Sequence, residues 1–144
     1  MSAIEPLCHL IGVDPNTLTK EENILLEIEL FTRICEELME VFREQNREYF
    51  RLMKFTIEKE NKMLESKFIH SIIQDILSTQ AYNLQGIAYY TDSHEDVIQE
   101  VYTGQNQSPS ATLLRKIVEL HRVVRYELYM QITKKIISKY LAAE

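Results

Sequence analysis

Residues 16–85 contain neither a glycine nor a proline, and nothing else in the chain restricts its fold so strongly. Strand turns and sharp reversals draw on these two residues, and helix interiors exclude them, so a stretch of this kind belongs to helices. The apolar pattern agrees. Ile24, Ile28, Phe31, Cys35, Leu38 and Phe42 recur at alternating spacings of four and three, the signature of a helical seam. Leu30, Ile34 and Val41 widen this seam, which predicts a centrally placed helix.

One helix over residues 20–90 would be roughly 105 Å long, more than a domain of this size can cover. At least one bend is therefore expected, near the polar windows Arg43 to Arg47 and Glu58 to Lys62. Beyond them Ile69, Ile72, Ile73, Ile76, Leu77, Leu84 and Ile87 carry the helical period to about Tyr90, with Gly86 weakening its last turn.

Local signals punctuate the remainder. Pro6 to Ile11 reads as a short N-terminal helix stopped by Gly12, and Asp14-Pro15-Asn16-Thr17 as a turn. Thr19-Lys20-Glu21-Glu22 is a capping box. Ser93 to Asp96 opens a short helix that Gly104 closes, and Gln105 to Ser108 is a loop. A last helix over 109–141 turns Leu113, Ile117, Leu120, Val124, Leu128, Ile132 and Ile136 toward the core. The expected fold is all-α: a compact bundle of four or five helices, mostly antiparallel, with a short N-terminal helix, in a single domain over 1–144.

With 144 residues the chain can bury a working core without staples. Its net charge of −6 argues against nonspecific attraction to nucleic acid or an anionic membrane. Cys8 and Cys35 have no metal or redox spacing, and no disulfide framework is expected. With no signal-like start and no long apolar run, the expected location is cytoplasmic.

Charge is unevenly distributed. Residues 1–65 hold fourteen acidic side chains, and residues 115–139 hold seven lysines and arginines against two glutamates. An acidic early helix beside a basic last one gives complementarity within the fold.

Glu36-Glu37-Leu38-Met39-Glu40 resembles the EExxE half of the magnesium-binding pattern of the all-α nucleoside triphosphate pyrophosphohydrolases. The resemblance spans five residues. It implies a Mg-dependent nucleotide pyrophosphohydrolase in which Glu36, Glu37 and Glu40 hold the metal. The family's second half is ExxD, whereas this chain offers Glu58-Lys59-Glu60-Asn61, with asparagine in place of aspartate. The plainer reading is a solvated acidic helix face.

Asp92, His94, Glu95, Asp96 and Glu100 are ligand-type residues, but an acidic first turn already suits the helix dipole. His70 and His121 fall at the edges of apolar faces, and Glu27 projects from an apolar arc. Internal pairing is the expected fate of such groups rather than catalysis. No nucleophile elbow or activated cysteine occurs, so no catalytic residue, metal or cofactor is expected.

Arg122, Arg125, Tyr126 and Tyr129, with Arg115, place arginine and tyrosine together on the last helix. Such residues could contact nucleic acid, but they are also typical of protein-binding hot spots. The expected function is a protein-binding helical module acting through Arg122, Arg125, Tyr126 and Tyr129, a self-associating adaptor or small chaperone. Its partner is another protein, a homodimer included. The two alternatives are the pyrophosphohydrolase and a nucleic-acid binder using the basic last helix.

Overall fold

The computed structural model describes residues 15–142, and all regular structure among them is helical. A 3-10 turn over Pro15–Thr17 precedes α1 (Lys20–Gln45), α2 (Arg47–Met53), α3 (Ile57–Ser66) and α4 (Phe68–Ser78). There follow α5 (Leu84–Tyr90), α6 (Glu95–Thr103), α7 (Ala111–Val124) and α8 (Tyr126–Ala142). The all-α class is as expected, but the described residues form eight α-helices rather than four or five. The short helix expected at Pro6 to Ile11 lies outside the described residues.

The extra helices arise at breaks that need neither glycine nor proline. At Asn46 the side-chain amide donates to the Phe42 carbonyl at 2.8 Å, competing with the helical ladder inside the first polar window. The second window lies within α3; the chain turns just before it, where Lys54 takes a left-handed conformation (φ 55°). Thr56 then caps α3 by accepting the Lys59 N–H at 3.3 Å. Between α4 and α5, Thr79 donates its hydroxyl to the Ile76 carbonyl and Asn83 caps the next helix by accepting the Gly86 N–H at 2.7 Å. Gly86 therefore stands in the first turn of α5, not at the end of a long helix. The expected last helix is divided at Arg125 (φ −118°, ψ 46°), and its first part begins at Ala111, capped by Ser110.

The capping box is present as read. Thr19 N–H donates to Glu22 Oε1 at 3.3 Å, and Glu22 N–H to Thr19 Oγ1 at 3.1 Å. Gly104 closes α6 at φ 86°. Lys54 offers a test of the break before α3. A left-handed residue with a Cβ costs roughly 1–2 kcal/mol, part of which glycine forfeits through its freer unfolded chain. Lys54→Gly should therefore raise unfolding stability by about 0.5 kcal/mol, read from the urea midpoint.

The chain falls into two compact units: Met1–Glu40 with Glu127–Glu144, and Val41–Tyr126. In the first, the described buried residues are Leu30, Ile34, Glu37 and Leu38 of α1 and Tyr129, Ile132, Thr133 and Ile136 of α8. In the second, α4 is the hub and packs against α3, α6 and α7, while α5 packs against α6 and α7. Its Ile72, Ile73 and Ile76 are fully buried, together with Ile87, Ile98, Ile117 and Leu120 from α5, α6 and α7.

Candidate functional site

Helix α1 divides its apolar residues between two destinations. Leu30, Ile34 and Leu38 are buried, yet Ile24, Leu25 and Ile28 are 47, 67 and 59% exposed. The four-three seam read from the sequence is thus filled only toward its end, at Leu38 and Phe42. Phe31 and Cys35 are half-buried between these extremes. The seam expected of α1 is buried at Leu38 and Phe42 and, beside it, at Leu30 and Ile34, but not at Ile24 and Ile28. Burial, together with the negative charge of Glu36, pushes the Cys35 thiol up to about 11. It stays protonated near neutrality and is a poor nucleophile.

The EExxE residues are separated by burial. Glu36 and Glu40 are exposed, whereas Glu37 is buried and ion-paired with Lys135 at 2.9 Å and Lys139 at 2.5 Å. Burial opposes the charged form of Glu37, but the two lysines outweigh it and hold the carboxyl below its ordinary range. The downstream residues are engaged too: Arg43 donates to Glu60 at 2.9 Å and to Asn61. A carboxylate already neutralised by two ammonium groups does not suit a magnesium ion, so these residues do not fit the metal that the resemblance implies. Among the described residues no group of three or more His, Cys, Asp or Glu is placed to hold a metal ion.

The second unit contains a polar cluster built on one buried histidine. Asp75 of α4 accepts from His121 Nε2 of α7 at 2.6 Å, and Arg125 Nε lies 3.2 Å from the same oxygen. The His121 side chain is wholly buried. The His121 hydrogen bond holds the Asp75 carboxyl below its usual range against the cost of burial, and the charges of His121 and Arg125 lower it further. His121 is thus paired internally, by Asp75. His70 is anchored as well: Nδ1 lies 2.6 Å from the Tyr102 carbonyl, and its ring stacks on Tyr102 with centroids 4.6 Å apart. A carbonyl only accepts, so Nδ1 carries the proton.

Asp75 and His70 both line a half-open groove of about 430 Å³. Lys67, the residue before α4, and Ser71, Gln74 and Ser78 of α4 form one wall, spaced four, three and four apart along the side of the helix away from its isoleucines. Gln45 and Asn46, at the end of α1, lie across from them. The sequence reading missed this groove, although the polar stripe at helical spacing was visible in it.

The residues expected to bind a partner are placed differently from one another. Arg122 and Arg125 are half-buried, the latter engaged with Asp75. Tyr126 is exposed, and Tyr129 is buried, with 3% of its surface accessible. A second apolar surface lies at the α2–α3 turn, where Leu52, Met53 and Ile57 are all more than half exposed. It surrounds an aromatic cluster in which Phe55 stacks on Phe50 at 5.8 Å and meets Tyr49 edge-on.

Comparison with protein-family models, with curated proteins and with solved structures finds no match for this chain. Among the described residues no helix is long and apolar enough to cross a membrane.

Proposed function

We propose that this protein is a protein-binding helical module of the cytoplasm that self-associates through the first half of α1. The observation that carries this reading is the open end of the apolar seam, with Ile24, Leu25 and Ile28 exposed on one helix. Contiguous exposed apolar surface marks a contact site, and four-three spacing is what a second helix packs against.

The charges favour a second copy of the chain in antiparallel orientation. With a two-fold axis beside Ile28, Leu25 meets the partner's Phe31 and Lys20 meets the partner's Glu36, and Glu27 against the partner's Glu29 is the like-charge pairing that this register keeps. A parallel pairing instead aligns Glu21, Glu22, Glu27 and Glu29 with their own copies. Tyr126, Arg122 and the Leu52–Met53–Ile57 surface remain for a different protein partner, consistent with an adaptor.

Size-exclusion chromatography with light scattering tests this. The wild type should move from monomer toward dimer across roughly 1–100 µM, and Ile28→Glu should abolish the dimer with little change in folding, because Ile28 is exposed. A wild type that stays monomeric throughout that range overturns the reading.

A further inference from the structure

We infer that the α4 groove is a binding site for a small molecule bearing an oxyanion head group, a phosphate or a carboxylate. The site is independent of self-association and lies wholly within residues 41–126. Its volume of about 430 Å³ is in the range that small-molecule sites occupy. Met63 and Leu64 contribute apolar lining, and the polar side chains beside them are what select the ligand.

Charge is the first argument. Asp75 is the groove's carboxylate, and it is already engaged by the His121 hydrogen bond and the Arg125 guanidinium. Lys67 has no carboxylate partner among the described residues, so it is the uncompensated charge of the groove. An anion supplies the missing counter-charge. In a chain of net charge −6, a groove with this balance is a local exception.

Hydrogen-bonding capacity is the second. Lys67, Ser71 and Gln74 follow one another at spacings of four and three, so an ammonium, a hydroxyl and an amide NH2 fall in a row along one helix face. An oxyanion has only acceptors and can use all three as donors. His70 adds an imidazole in the same wall. With Nδ1 committed to the Tyr102 carbonyl and the ring held by stacking, Nε2 is its open position. Nε2 can accept from a ligand hydroxyl when neutral, or donate to the anion when protonated. The Gln45 amide and the Asn46 Oδ1 also line the groove and can serve the rest of the ligand, so an organic anion gains contacts that a bare ion does not.

Amide NMR of the full chain, titrated with inorganic phosphate, adenosine monophosphate and citrate, tests the site. Lys67→Gln and Ser71→Ala serve as variants, since neither side chain is in the core. Shifts should concentrate at residues 67–78, and the better organic anion should bind about tenfold tighter than inorganic phosphate. Whether adenosine monophosphate or citrate binds tighter distinguishes a phosphate from a carboxylate ligand. Lys67→Gln should weaken binding by about fivefold or more with an unchanged urea midpoint. The inference is overturned by the absence of α4 shifts with every probe at about 20 mM, or by equal affinity in Lys67→Gln.

Discussion

Replacing Asp75 with alanine should lower the unfolding free energy by about 2–4 kcal/mol, measured by urea denaturation at pH 7. The imidazole of His121 is completely buried, and its Nε2 has the Asp75 carboxylate at 2.6 Å. Removing the carboxylate leaves a buried polar nitrogen without its partner, and desolvating that group costs more than the hydrogen bond contributes when made. Arg125 loses the same oxygen at its buried Nε, while the rest of its side chain, 41% exposed overall, stays in contact with water, which holds the figure below the top of the range for a buried ion pair.

Removing both partners should be milder than removing one. Asp75→Ala combined with His121→Leu should regain part of the loss, since an apolar residue of similar size removes the buried Nε2 whose hydrogen bond Asp75→Ala takes away. The pH dependence has a definite sign. The Asp75 carboxyl is held below its ordinary range in the folded protein. Its contribution is therefore fully present above the unfolded value of about 3.9, and is lost as pH falls through the folded value. Glu37 is depressed by Lys135 and Lys139 and acts in the same direction. The gap between wild type and Asp75→Ala should accordingly narrow below about pH 4. A loss smaller than 1 kcal/mol at pH 7 would place the His121–Asp75 contact in solvent.

The helical character of the chain was legible because it rests on local chemistry. Thr19 and Glu22 form their reciprocal cap, and Gly104 takes the left-handed position that ends α6, as their types and spacing indicate. Ile72, Ile73, Ile76, Ile117 and Leu120 are buried as their period requires. The number of helices was not legible, because Asn46, Lys54, Thr79 and Arg125 also occur within unbroken helices. What ends a helix at these positions is a side chain finding a better acceptor or partner, or a left-handed turn fixed by surrounding packing.

Periodicity also shows that an apolar stripe exists without showing what covers it. Ile24 and Leu38 belong to one seam, yet one is exposed and the other buried. The groove was hidden for a related reason. Lys67, Ser71 and Gln74 form a plain polar helix face until Gln45 and Asn46 are brought opposite them, and that pairing is separated by more than twenty residues of sequence. Among the acidic residues, only the fold distinguishes Glu37, held by two lysines, from its exposed neighbour Glu36.

The largest single effect is expected at Phe42, near the end of α1 in the Val41–Tyr126 unit. Its ring is 2% exposed and meets Phe68, at the start of α4, edge-on, with centroids 6.0 Å apart and planes at 64°. Phe42→Ala removes the buried ring and its aromatic contact and leaves a cavity, for an expected loss of about 3–5 kcal/mol. Phe42→Leu keeps most of the volume and should cost about 1–1.5 kcal/mol. The Phe42 carbonyl still accepts both the backbone and side-chain N–H of Asn46 in either variant, so the break after α1 survives and the measurement reports packing. Leu52→Ala is the control: that side chain is 73% exposed, and its removal should change stability by less than about 0.5 kcal/mol. Urea midpoints with an unchanged slope would resolve the three variants in this order. If Phe42→Ala costs no more than Leu52→Ala, the last turn of α1 is not part of the core and the apolar seam ends before it.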